Sequence, residues 1–144
     1  TEELWIPRVL VRKQNAQDAP PLESTFVGVL EPYDGNPFIA GIRRHMLETP
    51  DGQALGDTHA AIEIEFVDGR RDILLVRDRL DTSATRVTTK VNTETRTDGE
   101  IALVRLNPEG HVVYTALCGG SSLESGDYLL NLEGIARFHE IDNR

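Results

Sequence analysis

Alternation of apolar and polar residues is the strongest signal along the chain. Ala60, Ile62, Ile64 and Phe66 alternate with Ala61, Glu63, Glu65 and Val67. That is the period of a strand with one face on a core and the other in water. The phase predicts Ile62, Ile64 and Phe66 inside and Glu63 and Glu65 outside. A one-residue slip would bury both glutamates at a cost of several kcal/mol each, so the register is expected to be firm. Asp68-Gly69 follows at once, a turn sequence that favours a hairpin, and Ile73, Leu74, Leu75 and Val76 supply a mostly buried partner strand.

The same grammar recurs. Asp98-Gly99 precedes an apolar run, and Asn107-Pro108-Glu109-Gly110 turns into another; Asp51-Gly52 and Gly126-Asp127 punctuate others. Strands are predicted near residues 5–13, 25–31, 38–47, 60–67, 72–78, 86–92, 101–106, 112–117, 128–132 and 135–141. Irregular connections are predicted at 46–56 and 80–84, and an exposed loop at 15–21. Short strands at regular spacing with Gly and Asp turns predict an all-β fold, an antiparallel β-sandwich or barrel; we take the sandwich, as a single domain over 1–144. No internal repeat, low-complexity segment or domain boundary interrupts the pattern.

Composition narrows the function classes. The 144 residues, 39% hydrophobic and 27% charged, are ordinary for a globular chain. Fifteen basic against 24 acidic residues give a net charge of −9. No broad electrostatic footprint for nucleic acid or an anionic membrane is expected. A single cysteine, Cys118, excludes an internal disulfide framework and a multi-cysteine zinc site. No apolar run approaches the ~18–20 residues that span a bilayer. The first residues lack a signal-peptide pattern, so the chain is either cytoplasmic, a mature form or a piece of something longer.

Candidate chemistry is sparse. His45, His59, His111 and His139 are scattered, without metal-site spacing. Asp57-Thr58-His59 offers two metal ligands, but a polar turn into the strand at Ala60 explains it as well, and no further ligand is near. His111 reads as surface, and His139 as solvent-facing opposite Phe138. Gly119-Gly120-Ser121-Ser122 lacks the following helix that a phosphate cradle needs, and reads as a bulge or tight turn. Arg43 and His45 share one strand face and Arg44 the other, with Ile42 and Met46; one arginine could reach a sugar carboxylate or a partner domain. Arg70 and Arg71 read as solubilising turn residues. Trp5, Tyr33, Phe38, Tyr114 and Tyr128 are the aromatics to weigh as sugar platforms, and only Trp5 and Tyr33 lie near a chain end or turn. No catalytic residue, metal ligand or cofactor site is assigned, and the substrate-binding residues are open.

The run Ser24-Thr25-Phe26-Val27-Gly28-Val29-Leu30-Glu31-Pro32-Tyr33, continuing through Gly35-Asn36-Pro37-Phe38-Ile39 and Arg43-Arg44, resembles a known pattern. It is similar to the C-terminal β-region of heparinase II/III-like polysaccharide lyases, sharpest at Leu30-Glu31-Pro32-Tyr33. The strand at 97–105, with Gly119-Gly120 and Leu123 after it, suits the same pattern. The resemblance implies an N-terminal α/α toroid joined to antiparallel sheets, and cleavage of uronic-acid polysaccharides by β-elimination. The toroid and its border with the sheets supply most of the catalytic groups, so none is carried over to a position here. It also implies a parent that is periplasmic or secreted.

From the residues alone, Pro32 ends a strand, Tyr33-Asp34-Gly35 turns, and the Glu31 carboxylate is expected to pair across the hairpin with Arg43 or Arg44. Two readings follow. One is an accessory, non-catalytic C-terminal sandwich whose partner is the missing toroid or a second copy. The other is a freestanding carbohydrate- or protein-binding module, with an acidic polysaccharide among its ligands. A complete enzyme would need convergent titratable groups. An apolar opening strand, with Trp5, Val9 and Val11 on one face and Ile6 and Leu10 on the other, is expected to be covered twice.

Overall fold

The computed structural model describes residues 25–80, 87–91 and 93–143, together with Gln14 and Ala16. Ten strands follow in order: β1 Ile39–His45, β2 Ala60–Phe66, β3 Arg71–Val76, β4 Val87–Val91, β5 Thr93–Thr97, β6 Ile101–Leu106, β7 Val112–Cys118, β8 Gly120–Ser125, β9 Tyr128–Ala136 and β10 His139–Asp142. They form a six-stranded sheet, β1-β2-β3-β6-β7-β10, and a four-stranded sheet, β4-β5-β8-β9. Every pairing is antiparallel. The fold is the expected antiparallel β-sandwich. The predicted opening strand at 5–13, with Trp5, lies outside the described residues.

Ile73, Leu75, Val104, Leu106 and Leu117 of the larger sheet meet Val87, Leu123 and Leu130 of the smaller. The interior also holds hydroxyls. Thr95 and Ser125 share a hydrogen bond of 2.9 Å, and so do Thr115 and the Tyr128 hydroxyl. The Thr97 hydroxyl donates to the Ser122 carbonyl at 2.8 Å. Pairing these groups removes most of the penalty of burying them.

The register of β2 is the opposite of the one predicted. Ala61, Glu63 and Glu65 stand beside Leu75, Ile73 and Arg71, so they share the face that carries the core. Glu63 is 1% exposed. Ile62, Ile64 and Phe66 lie on the outer face, in line with Leu74 and Leu103. The slip is tolerated because Glu63 meets cations on both neighbouring strands, and because this sheet is apolar on both faces. Ile62 is itself buried, and lines a groove with Val27 and Val29. Farther along the outer face, Arg105 holds Asp72 with two hydrogen bonds, 2.7 and 2.8 Å, and lies over the Tyr114 ring. The Tyr114 hydroxyl donates to Glu140, which raises its pKa.

Two connections change layers side by side. β5 leads into β6 through Asp98-Gly99-Glu100, and β7 into β8 through Gly119. The Asp98 carboxylate bridges them. It accepts the Ser121 and Ser122 N–H groups at 2.9 and 2.8 Å and the Ser121 hydroxyl at 2.7 Å. The two N–H groups that follow Gly119-Gly120 are therefore taken by the chain's own carboxylate and not offered to a phosphate.

Burial pushes the Asp98 carboxyl up, but the Ser121 hydroxyl and the two N–H groups outweigh it, and the net shift is down. A depressed folded pKa gives stability that is present above the unfolded value, about 3.9, and lost as pH falls through the folded one. Asp98→Asn is therefore expected to flatten the loss of thermal stability below about pH 4. Parallel acid limbs in the two proteins would count against this role.

Candidate functional site

The one dense cluster of charge among the described residues spans three neighbouring strands. β1 and β2 pair Arg43 with Glu63 and His45 with Ala61, so period two brings Arg43 and His45 to the face of Glu63. The expectation that these two share a face, with Arg44 opposite, holds. His45 Nε2 is 2.9 Å from Glu63 Oε2, and Arg43 Nη1 is 3.6 Å from the same oxygen. Arg71 Nη1 approaches Glu63 Oε1 at 3.6 Å from the β3 side. Arg43 also reaches Glu65 at 3.3 Å. Oε1 of Glu63 is buried with no hydrogen bond. Arg71, read from sequence as a solubilising turn residue, is a largely buried partner of this carboxylate. Arg70 does stay at the turn, bonded to Asp68 and lying over the Phe66 ring.

Chemically the cluster is self-neutralising. The carboxylate that would orient an imidazole base is shared between His45 and two guanidinium groups. His45 borders a small cavity of about 220 Å³ with Arg44, Leu47, Leu55 and Asp57. Arg44 faces the other way from Arg43 and donates to the Asp57 and His59 carbonyls at 3.4 and 3.1 Å. His59 is buried, and its Nδ1 accepts the Asp78 N–H at 3.1 Å. A nitrogen used this way is not offered to a metal. Among the described residues no three His, Cys, Asp or Glu side chains are grouped to hold one.

The remaining candidates are dispersed. His111 is exposed, as expected. His139 is half-buried and stands opposite Leu117 on β7, on the core side, while Phe138 is the exposed one. This corrects the solvent-facing expectation: the chain bends at Arg137-Phe138, so the alternation restarts at β10. The Glu31 carboxylate does not cross to Arg43 or Arg44. It accepts the N–H groups of Phe38 and Ile39, both at 2.6 Å, and ties off its own loop. Tyr33 stands 56% exposed on that loop. Phe38 stacks on Phe66, with centroids 6.0 Å apart and planes 13° apart.

No family model, curated protein or solved structure matches the chain. Sequence reasoning missed the Glu63 cluster because its members are spread over residues 43–71, on three strands that only the sheet pairing brings together. A glutamate two residues from a second one, with arginines at both flanking hairpin ends, was the only available sign.

Proposed function

We propose that the chain is an accessory, non-catalytic β-sandwich of a heparinase II/III-like polysaccharide lyase. In this reading the parent cleaves uronic-acid polysaccharide by β-elimination outside the cytoplasm, and the sandwich braces its catalytic α/α toroid. The observation that carries the reading is the six-stranded sheet with two apolar faces. Ile42, Ile64, Leu74 and Leu103 face away from the sandwich interior, and Ile42 at the β1 edge is 48% exposed. A sheet apolar on both sides is normally covered on both. The self-neutralised Glu63 cluster supports the non-catalytic half of the proposal.

Reconstitution tests it. A toroid encoded with this chain, produced separately, is expected to bind it. Ile42→Glu, which puts a charge on the contact, is expected to weaken binding about tenfold or more. A toroid that is stable and fully active alone, and that ignores the added chain, would sink the proposal.

A freestanding carbohydrate-binding module is the second reading. It is favoured by Tyr33, presented on a loop that Glu31 ties down. Loss of glycan binding on Tyr33→Ala, with no toroid involved, would favour it.

A further inference from the structure

Residues 25–30 read Thr-Phe-Val-Gly-Val-Leu. This strand-favouring sequence was expected to pair, yet it belongs to neither sheet. No hydrogen bond joins its backbone to any described residue. The segment keeps a strand's alternation all the same. Thr25, Val27 and Val29 line a groove of about 330 Å³ against Ile42, Arg44 and Ile62. Phe26 and Leu30 do not line it and are 59% and 93% exposed, and Val27 at its rim is 46% exposed. The Glu31 carboxylate, fixed on the Phe38 and Ile39 N–H groups, anchors the end of the segment. A segment with this alternation, whose N–H and C=O groups pair with none of the described residues, has no strand neighbour among them, and such edges recruit another strand.

The sequence itself indicates which strand. Its apolar pattern is symmetric about Gly28 from Phe26 to Leu30. Antiparallel pairing on a two-fold axis through Gly28 sets Val27 against Val29, Phe26 against Leu30 and Thr25 against Glu31 of the other copy. Apolar residues meet apolar residues, and no like charges oppose. A closed two-fold contact of this kind is isologous, each copy using the same patch. Nothing lies within 4 Å of where a Gly28 Cβ would stand, so a side chain is accommodated at the centre of the segment. We propose that two copies of this chain associate through antiparallel pairing of residues 25–30 about Gly28. The exposed Phe26 and Leu30 of both copies then form one shared apolar face. The proposal does not depend on the lyase reading.

Cysteine trapping tests both the contact and its register, in a Cys118→Ser background. Directly opposed residues of an antiparallel pair have Cα atoms about 4.5–5.5 Å apart, inside the disulfide range of about 4.4–6.8 Å. Gly28→Cys is expected to give a disulfide-linked dimer on mild oxidation. Phe26→Cys or Leu30→Cys alone places its two sulfurs about four residues, ~13 Å, out of register and is expected not to link. The two variants mixed are expected to link to each other. In sedimentation, the unmodified chain should dimerise with rising concentration, and Val27→Pro, which removes an N–H, should stay monomeric with an unchanged circular dichroism spectrum. An unmodified chain that is monomeric at every concentration overturns the proposal. So does Leu30→Cys alone linking as fast as Gly28→Cys.

Discussion

Gly120→Ala is expected to destabilise the sandwich by about 3 kcal/mol or more, the upper end of what overpacking a closed interior costs. A methyl group on Gly120 would stand 2.5 Å from Gly99 Cα, 2.6 Å from Gly99 N and 2.7 Å from the Asp98 carboxylate. Backbone is what it meets, and backbone cannot swing aside as a side chain can. Relief would require the two layer-changing connections to separate. That would pull Asp98 off the Ser121 and Ser122 N–H groups and strain the nearby pairing of β6 with β7. Chemical denaturation measures it directly. Gly134→Ala is the control, since nothing lies within 4 Å of its Cβ position, and should change stability by less than about 0.5 kcal/mol. Equal midpoints for the two variants would mean that the corners do not touch.

Glu63→Gln should cost about 2 kcal/mol. Shape is kept and only the charge is lost. Arg71, whose side chain is 18% exposed, is then left near the core without its counter-charge. The cost falls short of a fully buried pair because Arg43 is mostly in water. Glu65→Gln is the comparison. Its carboxylate is 40% exposed, and its removal should cost no more than about 0.5 kcal/mol. If both substitutions were equally mild, Glu63 would face solvent after all, as its alternation with Ile62 and Ile64 first suggests.

That contrast marks what was legible in the sequence and what was not. Hairpins were legible where glycine must adopt a positive φ: Gly69 at +86° and Gly110 at +90° turn the chain where Asp-Gly and Asn-Pro-Glu-Gly predict. Strands rich in large apolar residues, β2, β3, β6 and β7, fall within a residue or two of their predicted ranges. β5 and β8 were missed because their inward positions are Thr95, Thr97, Leu123 and Ser125, mostly small hydroxyls that carry little hydrophobic periodicity. Residues 25–31 carry the pattern of a strand but have no partner strand among the described residues, which local sequence cannot report. For β2, period two fixes which residues share a face but not which face is inner. Nothing local to Glu63 tells that Arg43 and Arg71 will stand on either side of it. The candidate site was therefore visible only as a pair of residues, Arg43 and His45, sharing a strand face.

The accessory reading meets its most direct test in the chain's own activity. β-Elimination leaves an unsaturated uronate that absorbs in the ultraviolet. Incubated alone with heparan-type, alginate and other uronate polymers, the chain is expected to leave that absorbance flat. A steady rise that survives repurification and disappears in His45→Gln would contradict the account, and would make the His45–Glu63 pair a catalytic centre rather than a structural one.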